Sequence, residues 1–365
     1  MKQKANIRKI LFRLTGLLLI ALIFVGAFGL AGISQKGKNK LQDFFGIGTS
    51  EEQILELWNV DTFEGGIASK AGFLEKVALE FEKKHKGTYV LVRAMDAEEC
   101  LARLLGGEMP DMFSFSGVVA NTIKPHLTEL EENQQILSTL LASATTTQNE
   151  LLAMPWCMSG YALMTTESKM SASGKTGESL LANVFEYGYV KKLKKSNKQI
   201  YSLVYGEKNG NSPQKALFEE SKVKGVLQHR GDLDVYPKTS ELTGYGAYEK
   251  WVLGDSVLLL GTARDLVRFE GRIAAGKDQN SEIYYCSYFT DLVQYMGVVK
   301  SSNKNKQKNA EEFVKFLCSS KIQLNLASIG LFSVVKSDEN LYSQGLLSGM
   351  EKALKSLSLV DNIFV

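Results

Sequence analysis

The chain has 365 residues, 44% of them hydrophobic and 23% charged, which is enough for two lobes rather than one. Its formal charge of +3 joins two unlike parts: residues 1–40 hold eight of the 43 Lys/Arg and none of the 40 Asp/Glu, so the remainder carries 35 basic against 40 acidic residues, a net of −5. A mildly acidic body with short basic runs excludes a nucleic-acid partner, and the widely spaced cysteines and histidines exclude a metal site of ordinary ligand spacing.

Residues 1–35 form the first feature. Lys2, Lys4, Arg8, Lys9 and Arg13 precede an uncharged run from Leu14 to Gln35, rich in Leu, Ile, Ala, Phe and Gly. A basic leader followed by such a run is an export signal or a membrane anchor. The run exceeds the ordinary signal core of about 7–15 residues, which favours a retained transmembrane helix. Gly29-Leu30-Ala31 offers a small-x-small cleavage site, so a secreted form stays open. The denser positive charge before the run keeps the amino terminus inside and turns the body to the extracytoplasmic face. No cysteine lies near the end of the run, so a tether here is the helix itself.

After a polar linker over 36–50, strand and helix signals alternate. Ile54–Trp58 reads as a buried strand; residues 69–86 read as a helix with Phe73, Leu74, Val77, Ala78 and Phe81 on one face and Gly87 as its stop. Tyr89–Val92 is a second strand. Asp96 with Glu99 forms a capping pair for a helix ended by Gly106-Gly107, and Met112–Phe115 is the third strand. This order predicts a mostly parallel sheet with helices on its faces. Between 159 and 291 the pattern is less regular, with a basic run at Lys191–Lys195, a turn at Asn209-Gly210-Asn211 and a strand at Val257–Gly261. Tyr295–Val299 is a late strand, followed by a helix opened by Asn309 with Glu312. Cys100, Cys157, Cys286 and Cys318 sit in apolar neighbourhoods, which favours buried thiols over disulfides.

Motifs for catalysis are missing. GxSxG, HExxH and a strand-borne GxGxxG do not occur, and Gly174-Lys175-Thr176 has Lys169 where a phosphate-binding loop needs its first Gly. No catalytic residue, metal ligand or cofactor is therefore assigned.

Four segments in order resemble the extracellular solute-binding proteins of ABC importers, in the maltodextrin and sugar-binding group. They are LELWNVDTFEGGIASKAGFLEKVALEFEKKHKG (55–87), GEMPDMFSF (107–115), LLAMPWCMSGYALMTT (151–166) and DLVQYMGVVKSSNKNKQKNAEEFVKFLCSSKIQLNLASIGLFSV (291–334). The lipid-attachment cysteine of many such proteins is absent, and 167–240 matches poorly. The resemblance implies an α/β, two-lobed periplasmic-binding-protein-like fold of type II. Lobe I would be 52–157 plus 292–335, and lobe II 158–291 plus 336–365. It also implies a monomer that closes on a small solute, a carbohydrate by preference, and delivers it to membrane permease subunits without chemistry of its own.

Candidate contacts lie in loops at the carboxyl ends of strands, where open α/β sheets bind ligands. Asp61, Thr62 and Glu64 follow the first strand, with Glu64 alternatively a carboxylate at a helix amino terminus. Ser114, Phe115 and Ser116 end the third strand, and Asp111 supports it. Trp156, Ser159 and Tyr161 flank the crossing, where an aromatic platform suits a sugar face and interlobe packing is the alternative. Thr262 and Arg264 follow the strong strand of lobe II, Arg264 as a clamp or a surface ion pair. Tyr245, Tyr288 and Asp291 complete the set. A polyamine solute, a membrane-tethered sensor and an exported glycosidase are the competing readings.

Overall fold

The computed structural model describes residues 52–173, 180, 191–192, 199–225 and 239–364. The leader 1–35, the linker 36–50, Gly174-Lys175-Thr176 and Leu193-Lys194-Lys195 lie outside the described residues. Among the described residues no helix is long and apolar enough to cross a membrane.

Strand β1 (Gln53–Val60) leads to α1 (Lys70–Lys84), β2 (Thr88–Met95), α2 (Ala97–Leu105) and β3 (Met112–Phe115). Ser69 caps α1 by accepting from Gly72 N at 3.1 Å, and Asp96 caps α2 by accepting from Glu99 N at 2.8 Å. The apolar face of α1 is fully used: Phe73, Leu74, Val77, Ala78 and Phe81 are all buried. At about 1.5–3 kcal/mol for each large side chain, that face alone fixes the helix on the sheet. Asp111 supports the third strand as expected, its Oδ2 accepting from Glu56 N at 2.8 Å.

Next come α3 (Gly117–Ile123), α4 (Ser138–Ser143) and β4 (Met154–Met158), then β5 (Tyr161–Thr166), α5 (Glu167–Ser173), β6 (Lys191–Lys192), β7 (Gln199–Val204), α6 (Pro213–Val223), α7 (Gly244–Val252), β8 (Ser256–Thr262), α8 (Ala263–Ala274) and β9 (Ser281–Tyr285). The chain returns as β10 (Val293–Val298) and ends with α9 (Lys304–Leu317), α10 (Ser320–Leu324) and α11 (Leu346–Leu354). Two sheets result, ordered β2-β1-β3-β10-β4 and β6-β7-β8-β5-β9.

The first sheet departs from the parallel pattern in one respect. β1 pairs in parallel with β2 and β3, but β10 runs antiparallel to both β3 and β4 because it comes back from the second lobe. The helix after β10 also starts earlier than expected. Asn303 is its cap, accepting from Asn305 N and Lys306 N, and Asn309 lies inside it. There Asn309 donates to Gln53 Oε1 at 2.9 Å and Thr88 Oγ1 at 3.1 Å, so an apparent capping residue instead pins the helix to the first residues of β1 and β2.

The segment after α10 divides its contacts. Phe332 pairs with Met158, α11 packs on α8 and β9, and Ile363 N then donates to Ser143 O at 2.9 Å on the first lobe.

All four cysteines are unpaired and buried. Burial pushes the Cys100 thiol up to about 11 and Cys318 to about 12, and raises Cys157 and Cys286 further. Such thiols are inert while the fold is intact. An aromatic disulfide reagent is expected to leave the native protein unlabelled and to titrate all four cysteines once denaturant unfolds it.

Candidate functional site

The carboxyl ends of β1 and β3 face the loops of the second lobe, and the first cleft wall is the loop that follows β1. Its path depends on close backbone approach. Gly66 N donates to Gly330 O at 3.2 Å, and a Cβ on Gly66 would lie 2.8 Å from that same oxygen. Gly330 itself has φ +70°, a conformation that side-chain-bearing residues rarely adopt. The loop is thereby held with the carbonyls of Gly66 and Ile67 turned outward.

Arg264, the second residue of α8, meets those carbonyls. Its Nη1 donates to Gly66 O at 3.1 Å and Ile67 O at 2.9 Å, and its Nε lies 3.4 Å from Glu64 Oε2. Arg268, one turn on, reaches the same Glu64 oxygen at 3.4 Å. It is held there by Asp265 at 2.9 Å and by the ring of Tyr245 at 5.0 Å. Asp265 is in turn placed by a capping box with Thr262, whose backbone N–H donates to Asp265 Oδ2 at 3.0 Å. Burial raises the Asp265 carboxyl above its ordinary value, against the opposing pull of Thr262 and Arg268. From the other side of the second lobe, Asn211 Nδ2 donates to Thr62 O at 3.0 Å.

Between these contacts is a cavity of about 440 Å³. Asp61, Glu64 and Lys70 line it from the first lobe, and Asn209 and Arg264 from the second. Lys70 is buried; its ammonium donates to Phe63 O, lies 3.4 Å from Asp61 Oδ1 and stands 3.6 Å above the Phe63 ring. Burial lowers its pKa, with Asp61 as the main opposing influence. A cavity this size, with carboxylates, cations and an amide converging from two walls, can hold a small polar solute by several hydrogen bonds at once.

The sequence-derived candidates separate into three places. Asp61, Thr62, Glu64, Thr262, Arg264 and Tyr245 belong to the cleft walls. Thr62 donates to Ser116 Oγ at 2.8 Å, so Ser116 buttresses the loop from behind. Glu64 is exposed, and its Oε2 meets cations of the second lobe, 3.4 Å from both Arg264 and Arg268.

The second place is the crossing between lobes. Tyr161 donates to Asp291 Oδ1 at 2.6 Å while Ser212 N donates to Asp291 Oδ2 at 2.6 Å. Burial raises the Asp291 carboxyl, opposed by those donors, and raises the Tyr161 phenol well above its usual value. Ser159 N donates to Leu292 O at 2.8 Å and Ser159 O accepts from Thr290 Oγ1 at 2.8 Å. Tyr288 N donates to the buried Glu220 at 2.8 Å. These residues bind the crossing strands together.

The third place is the core of the first lobe. Trp156 is fully buried, stacked on Phe73 at 5.9 Å between ring centroids, and donates to Ser114 Oγ at 3.2 Å. Ser114 donates to Asn59 Oδ1 and also accepts from Gln294 Nε2. Phe115 packs on Tyr295 and Phe364. Trp156 therefore takes the packing alternative in this conformation and presents no face to the cleft.

Lys70, Arg268 and Asn211 were not singled out by the sequence. Lys70 reads there as the first residue of an amphipathic helix, and Asn211 as part of a turn; neither pattern distinguishes a cleft residue from a solvated one.

No family model and no curated protein matches the sequence. Solved structures do match by shape. One is a chitin oligosaccharide binding protein, at TM-score 0.59 and 14% identity over 87% of this chain and 90% of that one. The GacH receptor of Streptomyces glaucescens, studied with acarbose, gives 0.57 and 12% over 86% and 88%. An ABC substrate-binding protein from Listeria monocytogenes in complex with cycloalternan gives 0.56 and 13% over 86% and 90%. The fold is that of the solute-binding proteins. Within a solute-binding-protein fold the cavity between the lobes occupies the position where open α/β sheets take ligands.

Two substitutions test the placements. Trp156→Ala should destabilise the protein by about 3–5 kcal/mol, the usual range for emptying a buried aromatic site, read from the urea midpoint. For Lys70 the sign follows from linkage. Its folded pKa lies below the unfolded 10.5, so between the two values the unfolded chain binds more protons and stability rises with pH. Urea midpoints of the wild type should thus climb relative to Lys70→Met as pH approaches 10.5, and a flat difference would contradict the placement.

Proposed function

We propose that the chain is the extracytoplasmic solute-binding component of an ABC importer. It captures a small solute, most favourably a carbohydrate, between its lobes and passes it to membrane permease subunits. The observation that carries this reading is the cavity whose walls come from both lobes, with Asp61, Glu64 and Lys70 facing Asn209 and Arg264. A ligand there contacts both lobes only when they are closed, so binding and closure are one equilibrium. The sugars named with structures of the same fold, acarbose and cycloalternan among them, support the carbohydrate class.

The site residues then divide their work by chemistry. Asp61 and Glu64 accept from solute hydroxyls. Arg264, already aimed at two carbonyl oxygens, donates to oxygens of the solute that take their place. Asn209 supplies an amide that can donate and accept. Tyr161, Asp291 and Ser159 act on the crossing rather than on the solute. The solute leaves chemically unchanged, and the protein works as a monomer.

A thermal-shift screen against mono- and oligosaccharides, polyamines, amino acids and oxyanions tests the reading. A solute at 100 times its Kd adds about 2.7 kcal/mol, roughly a 5 °C rise for a protein of this size. Asp61→Asn and Arg264→Ala should each weaken the Kd by about tenfold or more, equal to about 1.4 kcal/mol, while Lys315→Ala, on an exposed ion pair with Glu131, should leave it unchanged. A rise with polyamines alone would keep the receptor and replace the solute class. No rise across the panel would remove the transport reading.

A further inference from the structure

The end of the first lobe opposite the cleft carries exposed lysines beside exposed large apolar side chains. Its position is fixed by hydrogen bonds at the starts of the strands. Gln53 N donates to Gly87 O at 2.8 Å, and Val299 N donates to Asp111 O at 2.9 Å. Asn309 of α9 bonds to Gln53 and Thr88, so the residues before it in the helix extend beyond the strand starts by about 7 Å, at 1.5 Å per residue.

That projecting end is basic. Lys300, Lys304 and Lys308 are exposed, and Lys306 lies beside them in a 2.8 Å pair with Asp111. The first turn of α9 holds no acidic residue, so these lysines oppose the helix dipole rather than complement it. They also stand on a body whose net charge beyond residue 40 is −5. Beside them the same pole exposes large apolar side chains. Ile54 is 60% exposed and its neighbour across the β1–β2 pair, Tyr89, 43%. Leu105, at the end of α2, is 90% exposed, and Met109 follows in the turn leading to β3.

We propose that this pole docks on a lipid surface bearing anionic headgroups. Lysines flanking exposed aliphatic and tyrosyl side chains match the two layers of such a surface, the charged headgroups and the acyl boundary beneath them. The chain itself supplies proximity. The apolar run ends at Gln35 and β1 begins at Gln53, so seventeen residues separate them. Even fully extended, seventeen residues reach no more than about 60 Å, so a membrane that holds the run lies within that distance of β1. At such effective concentration a few lysines suffice, each raising surface occupancy about fivefold. The proposal rests on the leader being a retained anchor and is independent of which solute the cleft takes.

The test uses the full-length chain reconstituted through its leader into phosphatidylcholine vesicles, and into vesicles in which about a third of the lipid is phosphatidylglycerol. Flotation after an alkaline carbonate wash reports the anchor, and amide hydrogen exchange reports the pole. Exchange across residues 88–91, 105–109 and 299–308 should slow on the anionic vesicles alone. The slowing should vanish in high salt and in the triple variant Lys300→Glu, Lys304→Glu, Lys308→Glu, whose melting temperature and solute affinity stay at wild-type values. Equal exchange on both vesicle types, or slowing that survives the triple variant, would overturn the docking. Failure to float would remove the anchor and the docking together while leaving solute capture intact.

Discussion

Because β10 lies between β3 and β4, β4 has no strand joining it to the rest of the first sheet until residues 293–298 return from the second lobe. The consequences reach most of the molecule. Met296 and Tyr295 complete a core begun by Phe113 and Phe115, and both are buried. Gln294 donates to Val60 O and Ser114 Oγ, joining the returning strand to the end of β1. Neither lobe is therefore an appendage of the other; the first is finished only by chain that has already passed through the second. Pairings of such wide sequence separation carry a large loop-closure entropy and predispose the fold to form slowly.

The same return brings the two connecting segments together. Segments 158–161 and 285–293 connect the sheets side by side, and Ser159, Thr290 and Leu292 bond between them. The cleft loops lie at the carboxyl ends of β1 and β3 and the basic, partly apolar pole at the opposite end, so the two can serve different surfaces. In this structure Arg264, Arg268 and Asn211 already spend donors on Glu64 and on backbone carbonyls of the first lobe. In the proposed function a solute replaces some of those contacts, and its apparent affinity is the difference between the two sets.

Much of this was legible in the sequence because it rests on local patterns. The face of α1 followed from helical spacing, the cap at Asp96 from its partner Glu99, and the strands from β-branched and aromatic runs bounded by Gly and Pro. The segment order 55–87, 107–115, 151–166 and 291–334 pointed to the solute-binding-protein fold that the structure adopts. Tertiary context decided the rest. Asn309 satisfied a capping rule, but Gln53 and Thr88, more than two hundred residues away, gave its amide a stronger role. Trp156 was eligible for a ligand platform by residue type, yet the ring of Phe73 and the hydroxyl of Ser114 enclose it. Lys70 offers the reverse case: a lysine after a helix cap reads as solvated, and only the fold reveals Asp61 and the Phe63 ring around its ammonium.

Asp291 holds one further implication. One carboxylate oxygen takes the Tyr161 phenol from β5 and the other takes the backbone N–H of Ser212, the cap of α6. Tyr161 and Ser212 are thus both tied to the residue that precedes the crossing. A joint braced in this way has less conformational entropy to lose in the proposed closure. Under that proposal the binding heat of a solute should report mainly the contacts made in the cleft rather than any ordering of the connecting chain.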